Sequence, residues 1–432
     1  MIHRELQKRE AESNPIKIGA SAIDWMGSGF VNAVSQVPGM EVSVIANADT
    51  AEAAEMYRLA GVPTDRIVET SHPGEANDAV RAAKFVVTED LSLPSKVDDL
   101  DILTDVTWSP ALGAQLAYSA IHNGKDVMLV NIEADVTVGP ILKKLAAQAG
   151  VLYSVSSGDE PGCLIELYDF ACSMGHEIIT IGKGKNNPLD PSATPETVAE
   201  SARRADKDPF QVSSYVDGTK TMFEMTCAAN ATGCRPMQAG MIGPEADLNT
   251  VSDIFALVED GGLSRFPGNV DFVQGDAMAG GVFVTVRVED KRIQDDLNYL
   301  KVGNGKYFTF FRPYHLWFLE APISIARAVL HRQVWLEPLD RPVAEVVAVA
   351  KRDLQPGEVL DRFGGFTSFG RMVLADEAIR QNALPAGLTP AARMKRPLSA
   401  GEYLTWDDVD LDEESTVVSL RRQQDQAVLA DA

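Results

Sequence analysis

Asp126-Val-Met-Leu-Val130 runs directly into Asn131-Ile-Glu133-Ala-Asp135, and that junction decides the fold. An unbroken apolar run closing on an amide and two acids reads as a buried strand that delivers polar groups to a sheet edge. The same arrangement recurs twice. Val151–Val155 leads to Gly158-Asp159-Glu160-Pro161-Gly162, and Glu177–Ile181 leads to Gly182-Lys183-Gly184-Lys185-Asn186-Asn187-Pro188. The three segments are expected in register at the carboxyl edge of one parallel sheet, where α/β folds bind ligands. Four carboxylates and two lysines there would suit proton transfer on an oxygen-rich small molecule. Solvated loops with ordinary surface charges are the plain alternative.

Outward from this junction the chain alternates strand and helix: Ile16–Ser21, Phe30–Val37, Val42–Ala46, Ala51–Ala60, Phe85–Thr88, Ile102–Val106, Leu112–Asn123, then Pro140–Ala149. That alternation predicts a doubly wound, Rossmann-type parallel sheet over residues 1–155, preceded by a short amphipathic arm at 1–14. Residues 156–338 change character, with a charged helix at Thr194–Arg204, strands at Val270–Gln274 and Gly281–Val288, and helices at Thr221–Ala231 and Phe318–Val329. They read as an α+β domain for substrate binding and oligomerisation, expected in a homodimer or homotetramer.

In the last stretch Asp353-Leu-Gln-Pro-Gly-Glu-Val-Leu360 repeats as Pro397-Leu-Ser-Ala-Gly-Glu-Tyr-Leu404. The pattern L-x-x-G-E-x-L puts a Gly-Glu turn between two strands. It resembles the SAF module, a β-clip fold, here assigned to residues 339–412 as a structural element or a lid. Residues 413–432 are expected to be a frayed helical tail.

A net charge of −23 argues against nucleic acid and anionic membranes as partners, although a local lysine cluster can still receive an anionic substrate. The four cysteines, Cys163, Cys172, Cys227 and Cys234, show no C-x-x-C spacing and sit in apolar runs, so buried thiols are expected. The first residues are charged throughout, and no apolar run approaches the roughly 18 residues of a membrane span. A cytoplasmic protein is expected.

The block Val127–Pro188 carries a resemblance, together with Val216-Asp-Gly-Thr-Lys220, Tyr307-Phe-Thr-Phe310 and Arg312-Pro-Tyr-His-Leu316. It looks like the bacterial homoserine-dehydrogenase-like oxidoreductases, and is similar to the 1-deoxy-D-xylulose 5-phosphate reductoisomerase-like enzymes. The resemblance runs from about Pro15 to Leu411. It implies reduction and rearrangement of a keto-sugar phosphate with NAD or NADP.

The nucleotide turn departs from the family pattern. The family alignment of the first strand and turn includes Gly19, and Ala22-Ile-Asp24-Trp-Met26-Gly27 stands where G-x-G-x-x-G belongs. Only Gly27 survives, and Asp24 sets a carboxylate against the pyrophosphate. Gly27-Ser28-Gly29 offers a shifted turn. Further on, Asp105-Val-Thr107-Trp108 replaces D-A-T-G, so Trp108 either stacks on a ring or fills the cofactor's space. Asn47 or Asp49 is placed for a ribose hydroxyl, with no adjacent arginine for a 2′-phosphate.

By the same resemblance Asn131 and Glu133 lie near the transferred hydride. Asp135 is either catalytic or a cap on the following helix. Asp159 and Glu160 are candidate substrate or metal ligands, for Mg²⁺ or Mn²⁺. Lys183 and Lys185 alternate with glycines and so share a face. Lys183 is read as the anion binder and Lys185 as the acid, with Asn186 and Asn187 orienting a hydroxyl. Asp217 and Lys220 form a second acid–lysine pair or a helix start, and His315 reads as a core histidine. No zinc spacing and no G-x-S-x-G occur.

Three functions stay open. One is an NAD(P)H-dependent oxidoreductase or reductoisomerase acting on a small hydroxylated or phosphorylated carbonyl compound. The second is a non-redox isomerase, dehydratase or lyase that has lost the nucleotide site. The third is a ligand-sensing protein.

Overall fold

The computed structural model describes residues 1–21 and 25–430, the side chains at 25, 26, 304, 429 and 430 excepted. It divides into two compact units, neither a single stretch of sequence. The first comprises Met1–Asp159, Leu316–Glu337 and Ser419–Ala432; the second comprises Glu160–His315 and Pro338–Val418.

The first unit is built on a seven-stranded sheet with the order β3-β4-β2-β1-β5-β6-β7. Its strands are β1 (Ile16–Ser21), β2 (Met40–Ala46), β3 (Ile67–Glu69), β4 (Phe85–Thr88), β5 (Ile102–Asp105), β6 (Asp126–Leu129) and β7 (Tyr153–Val155). Every pairing is parallel. Ile16, Ile18, Val44, Ile45, Ile102 and Met128 are fully buried, which is why these strands read as unbroken apolar runs. The helices are α1 (Ile2–Ala11), α2 (Trp25–Ser35), α3 (Thr50–Leu59), α4 (Pro73–Arg81), α5 (Pro110–His122) and α6 (Ile132–Ala149). The Rossmann-type expectation holds.

The second unit begins with α7 (Glu160–Ser173) and β8 (Glu177–Lys185), followed by α8 (Ala199–Arg204), α9 (Pro209–Val216) and α10 (Thr219–Thr232). Next come β9 (Arg235–Pro236), α11 (Val251–Ile254), β10 (Asn269–Gln274), β11 (Val282–Arg287), α12 (Lys291–Tyr299), β12 (Gly303–Asn304) and β13 (Tyr307–Arg312). Its strands form a mixed six-stranded sheet, order β12-β13-β11-β8-β10-β9. β8 runs parallel to β10 and antiparallel to β11, so it lies inside the sheet.

This placement corrects the expectation of three loops on one sheet edge. The first two segments do follow β6 and β7. The third is not a loop after a strand, because Gly182 to Lys185 are themselves the end of β8, in the other sheet. Its glycines serve the packing. A Cβ at Gly182 would lie 2.6 Å from the Phe283 ring, and one at Gly184 only 1.8 Å from the Met278 carbonyl oxygen.

After α13 (Trp317–His331), which belongs to the first unit, the chain forms the SAF module on β14 (Ala344–Ala350), β15 (Ser368–Leu374), α14 (Ala375–Arg380), β16 (Arg393–Met394) and β17 (Val409–Asp410). The sequence repeat becomes an approximate two-fold axis. Leu354 and Leu398, equivalent in the two copies, exchange backbone hydrogen bonds of 2.8 and 3.1 Å. The Gly357 N–H donates to the Met394 carbonyl and the Gly401 N–H to its counterpart, Ala350. Both glycines have φ +84°, which the Gly-Glu turn requires. Glu358 accepts from the Gln355 N–H and Glu402 from the Ser399 N–H.

The described residues of the tail are helical from Thr416 on. They form the helix α15 (Thr416–Ala430), and Leu420, Arg421 and Gln424 on it are buried. Cys163, Cys227 and Cys234 are buried thiols, but Cys172 is exposed. Among the described residues no helix is long and apolar enough to cross a membrane.

Candidate active site

In the first unit the strand order reverses between β1 and β5, and α2 begins just beyond β1. Such switch points are where doubly wound folds bind nucleotides. Ala22 and Asp24 lie outside the described residues, as does the Met26 side chain. Gly27 is buried in the first turn of α2. Gly19 lies within β1, where a Cβ would meet the Leu103 side chain at 2.6 Å, so its smallness serves strand packing. Asn47 follows β2; its Oδ1 accepts from the Asp49 N–H (3.0 Å) and its Nδ2 donates to Glu52 (3.2 Å). Asp49 caps α3.

Asn131 caps α6. Its Oδ1 accepts from the Ala134 N–H (2.9 Å), while Nδ2 donates to Thr107 Oγ1 (2.8 Å) and to the Ser109 carbonyl (2.9 Å). The residue thus ties the loop after β5 to the start of α6. Asp135 does not cap the helix; its carboxylate accepts from the Tyr153 hydroxyl at 2.7 Å. Glu133 is buried in the first turn of α6, and Trp108 is about one-third exposed at 36%. Asp105 escaped the sequence reading. It closes β5, accepts from the Thr107 N–H through Oδ1, and buries Oδ2 without a hydrogen-bond partner. Burial pushes its pKa up to about 7, against the opposing Thr107 amide. A switch-point crevice, a helix N-terminus and an orphaned buried carboxyl oxygen together fit a dinucleotide.

In the second unit Lys183 and Lys185 project from one face of β8. Lys183 reaches between two buried carboxylates, Glu160 at the start of α7 and Glu224 in the middle of α10, and bonds both. Burial opposes the Lys183 ammonium, but the two carboxylates outweigh it and hold its pKa above the usual lysine value. Burial and the neighbouring Glu160 raise Glu224, against Lys183 and Lys220. Lys220 Nζ lies 4.0 Å from Glu224, one helical turn along α10. His315 Nε2 lies 3.4 Å from Glu160, and its Nδ1 is 2.9 Å from the Gly280 carbonyl. An acceptor-only carbonyl there makes Nδ1 the protonated nitrogen.

Lys185 is buried too, but among the described residues it has no carboxylate in ion-pair contact. Its ammonium donates to the Tyr215 carbonyl at 2.8 Å. Burial, then the like charge of Lys183, bring its pKa down to about 8, against the pull of Glu224 and Asp217. Lys183, Lys185 and Lys220 thus gather three cations in a chain of net charge −23. Glu160 thus takes the Lys183 ammonium on one carboxylate oxygen and His315 at the other, and Asp159 ends the first stretch of the first unit.

Residues 158–321 match the family described as "Oxidoreductase DRL, catalytic domain", and residues 345–410 match the SAF domain. The former stretch of the chain is similar to an oxidoreductase catalytic domain. The fold of the chain is similar to a probable dehydrogenase from Thermotoga maritima (11% identity, TM-score 0.42, covering 74% of this chain and 90% of that one). It is also similar to scyllo-inositol dehydrogenase from Lactobacillus casei, solved with NAD(H) and scyllo-inositol (14%, 0.42, 74% and 90%). A third is the 3-ketoreductase KijD10 from Actinomadura kijaniata, solved with NADP (14%, 0.38, 74% and 91%). No curated protein matches by sequence.

Within the catalytic stretch one predicted pair is rearranged. Asp217 is paired with Lys351, at 2.8 Å, and Lys220 lies 4.0 Å from Glu224. Glu224, Tyr215 and His315 went unrecognised as members of the site. Glu224 had a signal, since it is the only charge in Met222-Phe-Glu-Met225 and stands four residues after Lys220. A charged residue centred on an apolar helix face needs a buried partner.

Proposed function

We propose that this protein reduces the carbonyl of a small hydroxylated or phosphorylated compound with NAD(P)H, and that Lys185 donates the proton to the carbonyl oxygen. A single observation carries the reading: a buried lysine with a pKa of about 8 stands beside a second lysine locked between two carboxylates. Such a group is still protonated near neutrality yet gives up its proton readily. The cofactor would be held in the first unit by Gly27, Asn47, Thr107, Trp108 and Asn131, and when bound supplies the hydride.

The chain's own residues do the rest. The lysines Lys183, Lys185 and Lys220 favour an anionic or polyhydroxylated substrate, and Lys183 opposes the burial that raises Glu224. Glu160 and His315 can pass a proton between them. The same set would serve a carbon-skeleton rearrangement before reduction, the step that the reductoisomerase resemblance implies.

Titrating NADH and NADPH against intrinsic tryptophan fluorescence tests the redox reading. Saturable binding that changes on Trp108→Gly is the expected result. Absence of binding would favour a non-redox isomerase or lyase acting through the same lysines.

A further inference from the structure

We propose that Lys351, the residue following β14 in the SAF module, is a positioning residue for Lys185: it pins the turn whose Tyr215 carbonyl holds the Lys185 ammonium. The inference rests on the reading of Lys185 as the proton donor, and assigns the C-terminal module a part in catalysis.

The connection can be followed atom by atom. Lys351 Nζ lies 2.8 Å from Asp217 Oδ2, 2.5 Å from the Ala193 carbonyl and 2.7 Å from the Gly365 carbonyl. Two of the three ammonium donors go to those carbonyls, and the charge faces Asp217. The pair is sealed from water, with side-chain exposures of 3% and 0%. Asp217 Oδ1 in turn accepts from the Thr219 N–H (2.8 Å), and Thr219 Oγ1 accepts from the Gly370 N–H of β15 (2.9 Å). The turn between α9 and α10 is therefore tied to both long strands of the module.

Two residues before Asp217 stands Tyr215, whose carbonyl receives the Lys185 ammonium. The Asp190 N–H donates to the Val216 carbonyl at 2.9 Å, so the segment after Lys185 is fastened to the same turn. Gly218 has φ +90°, and a Cβ there would lie 2.4 Å from Leu189, which leaves the turn one shape. A buried ion pair is costly to break from one side.

The charged and titratable groups facing Lys185 are Lys183 on its own strand, Glu224 and Lys220 on α10, Glu160 on α7, and Asp217 and Tyr215 of the turn. Burial raises the Asp217 pKa even with Lys351 opposing it. Loss of Lys351 would raise Asp217 further, and a protonated Asp217 no longer favours the Lys185 ammonium.

The test needs no substrate. Competitive acetylation with acetic anhydride over a pH series, read by mass spectrometry of the Lys185 peptide, gives that lysine's titration midpoint in the full chain. In the wild type a midpoint near 8 is expected. In Lys351→Met, and in Lys351→Met/Asp217→Asn, it should fall by at least about half a pH unit, with faster labelling. Arg393→Gln, elsewhere in the module, should leave it in place. If the single variant fails to fold, the double variant, which removes both charges together, carries the test. An unchanged midpoint in a folded variant, or an equal shift in Arg393→Gln, overturns the role of Lys351 alone. A wild-type midpoint at the ordinary lysine value of about 10.4 overturns the reading of Lys185 itself.

Discussion

Gln424 completes the hydrogen bonding that Pro140 breaks in α6. A proline inside a helix removes one donor and pushes away the carbonyl of the preceding turn. Here the Ile141 N–H donates to Gln424 Oε1 (3.2 Å), and Gln424 Nε2 donates to the Thr137 carbonyl (3.4 Å). Arg421 Nη1 also reaches that carbonyl, at 3.3 Å. One side-chain amide is inserted where a helical bond would run, and it comes from the last helix of the chain.

Gln424→Leu should therefore destabilise the first unit by about 1–3 kcal/mol, because it strands a buried donor and leaves a carbonyl poorly satisfied. Urea denaturation followed by circular dichroism would measure it. A chain ended after Leu411 should lose more, since it also removes the buried Leu420 and Arg421. Unchanged midpoints for both would show α15 to be dispensable.

Lys185→Ala should lower turnover by roughly 10²–10⁴-fold, the scale of a positioned proton donor. The wild-type rate should fall as pH rises through about 8, because the acid form is then lost. A variant with near-wild-type turnover would move the acid's role to another group of the cluster.

Lys183→Met should act on stability as well as on binding. It leaves Glu160 and Glu224 facing each other with their shared cation gone, a loss of about 3–5 kcal/mol for a buried pair broken from one side. Lys183→Met/Glu160→Gln should recover part of it. Thermal melts of the three proteins would decide, and an undiminished melting temperature for the single variant would mean that water already solvates the cluster.

Asp105 should make stability fall with rising pH. Its folded pKa of about 7 lies above the unfolded carboxylate value, so the folded state binds the extra proton. That contribution is complete below the unfolded value of about 3.9, is lost through the interval up to about 7, and amounts to about 4 kcal/mol. Asp105→Asn should remove the dependence and be more stable than the wild type at alkaline pH. Parallel stability–pH profiles for the two proteins would refute the assignment.

Much of this architecture could be read from the chain. Unbroken apolar runs at helix-length intervals require strands buried on both faces, and six strands of the parallel sheet follow; the seventh, β3, is too short and too exposed to give such a run. The L-x-x-G-E-x-L repeat needs the same turn twice, and Leu354 and Leu398 meet across the resulting two-fold. Two lysines separated by one residue must share a strand face, as Lys183 and Lys185 do. Which charges those lysines meet was not legible. Glu160, Glu224 and Lys183 come from three separate elements, and only packing removes the water that would otherwise screen them. The same holds for Asp217, whose sequence neighbour Lys220 suggested a pair but whose buried partner is Lys351. Local pattern determines which face a side chain takes; its pKa, its partner and thus its chemistry depend on what the rest of the chain brings against that face.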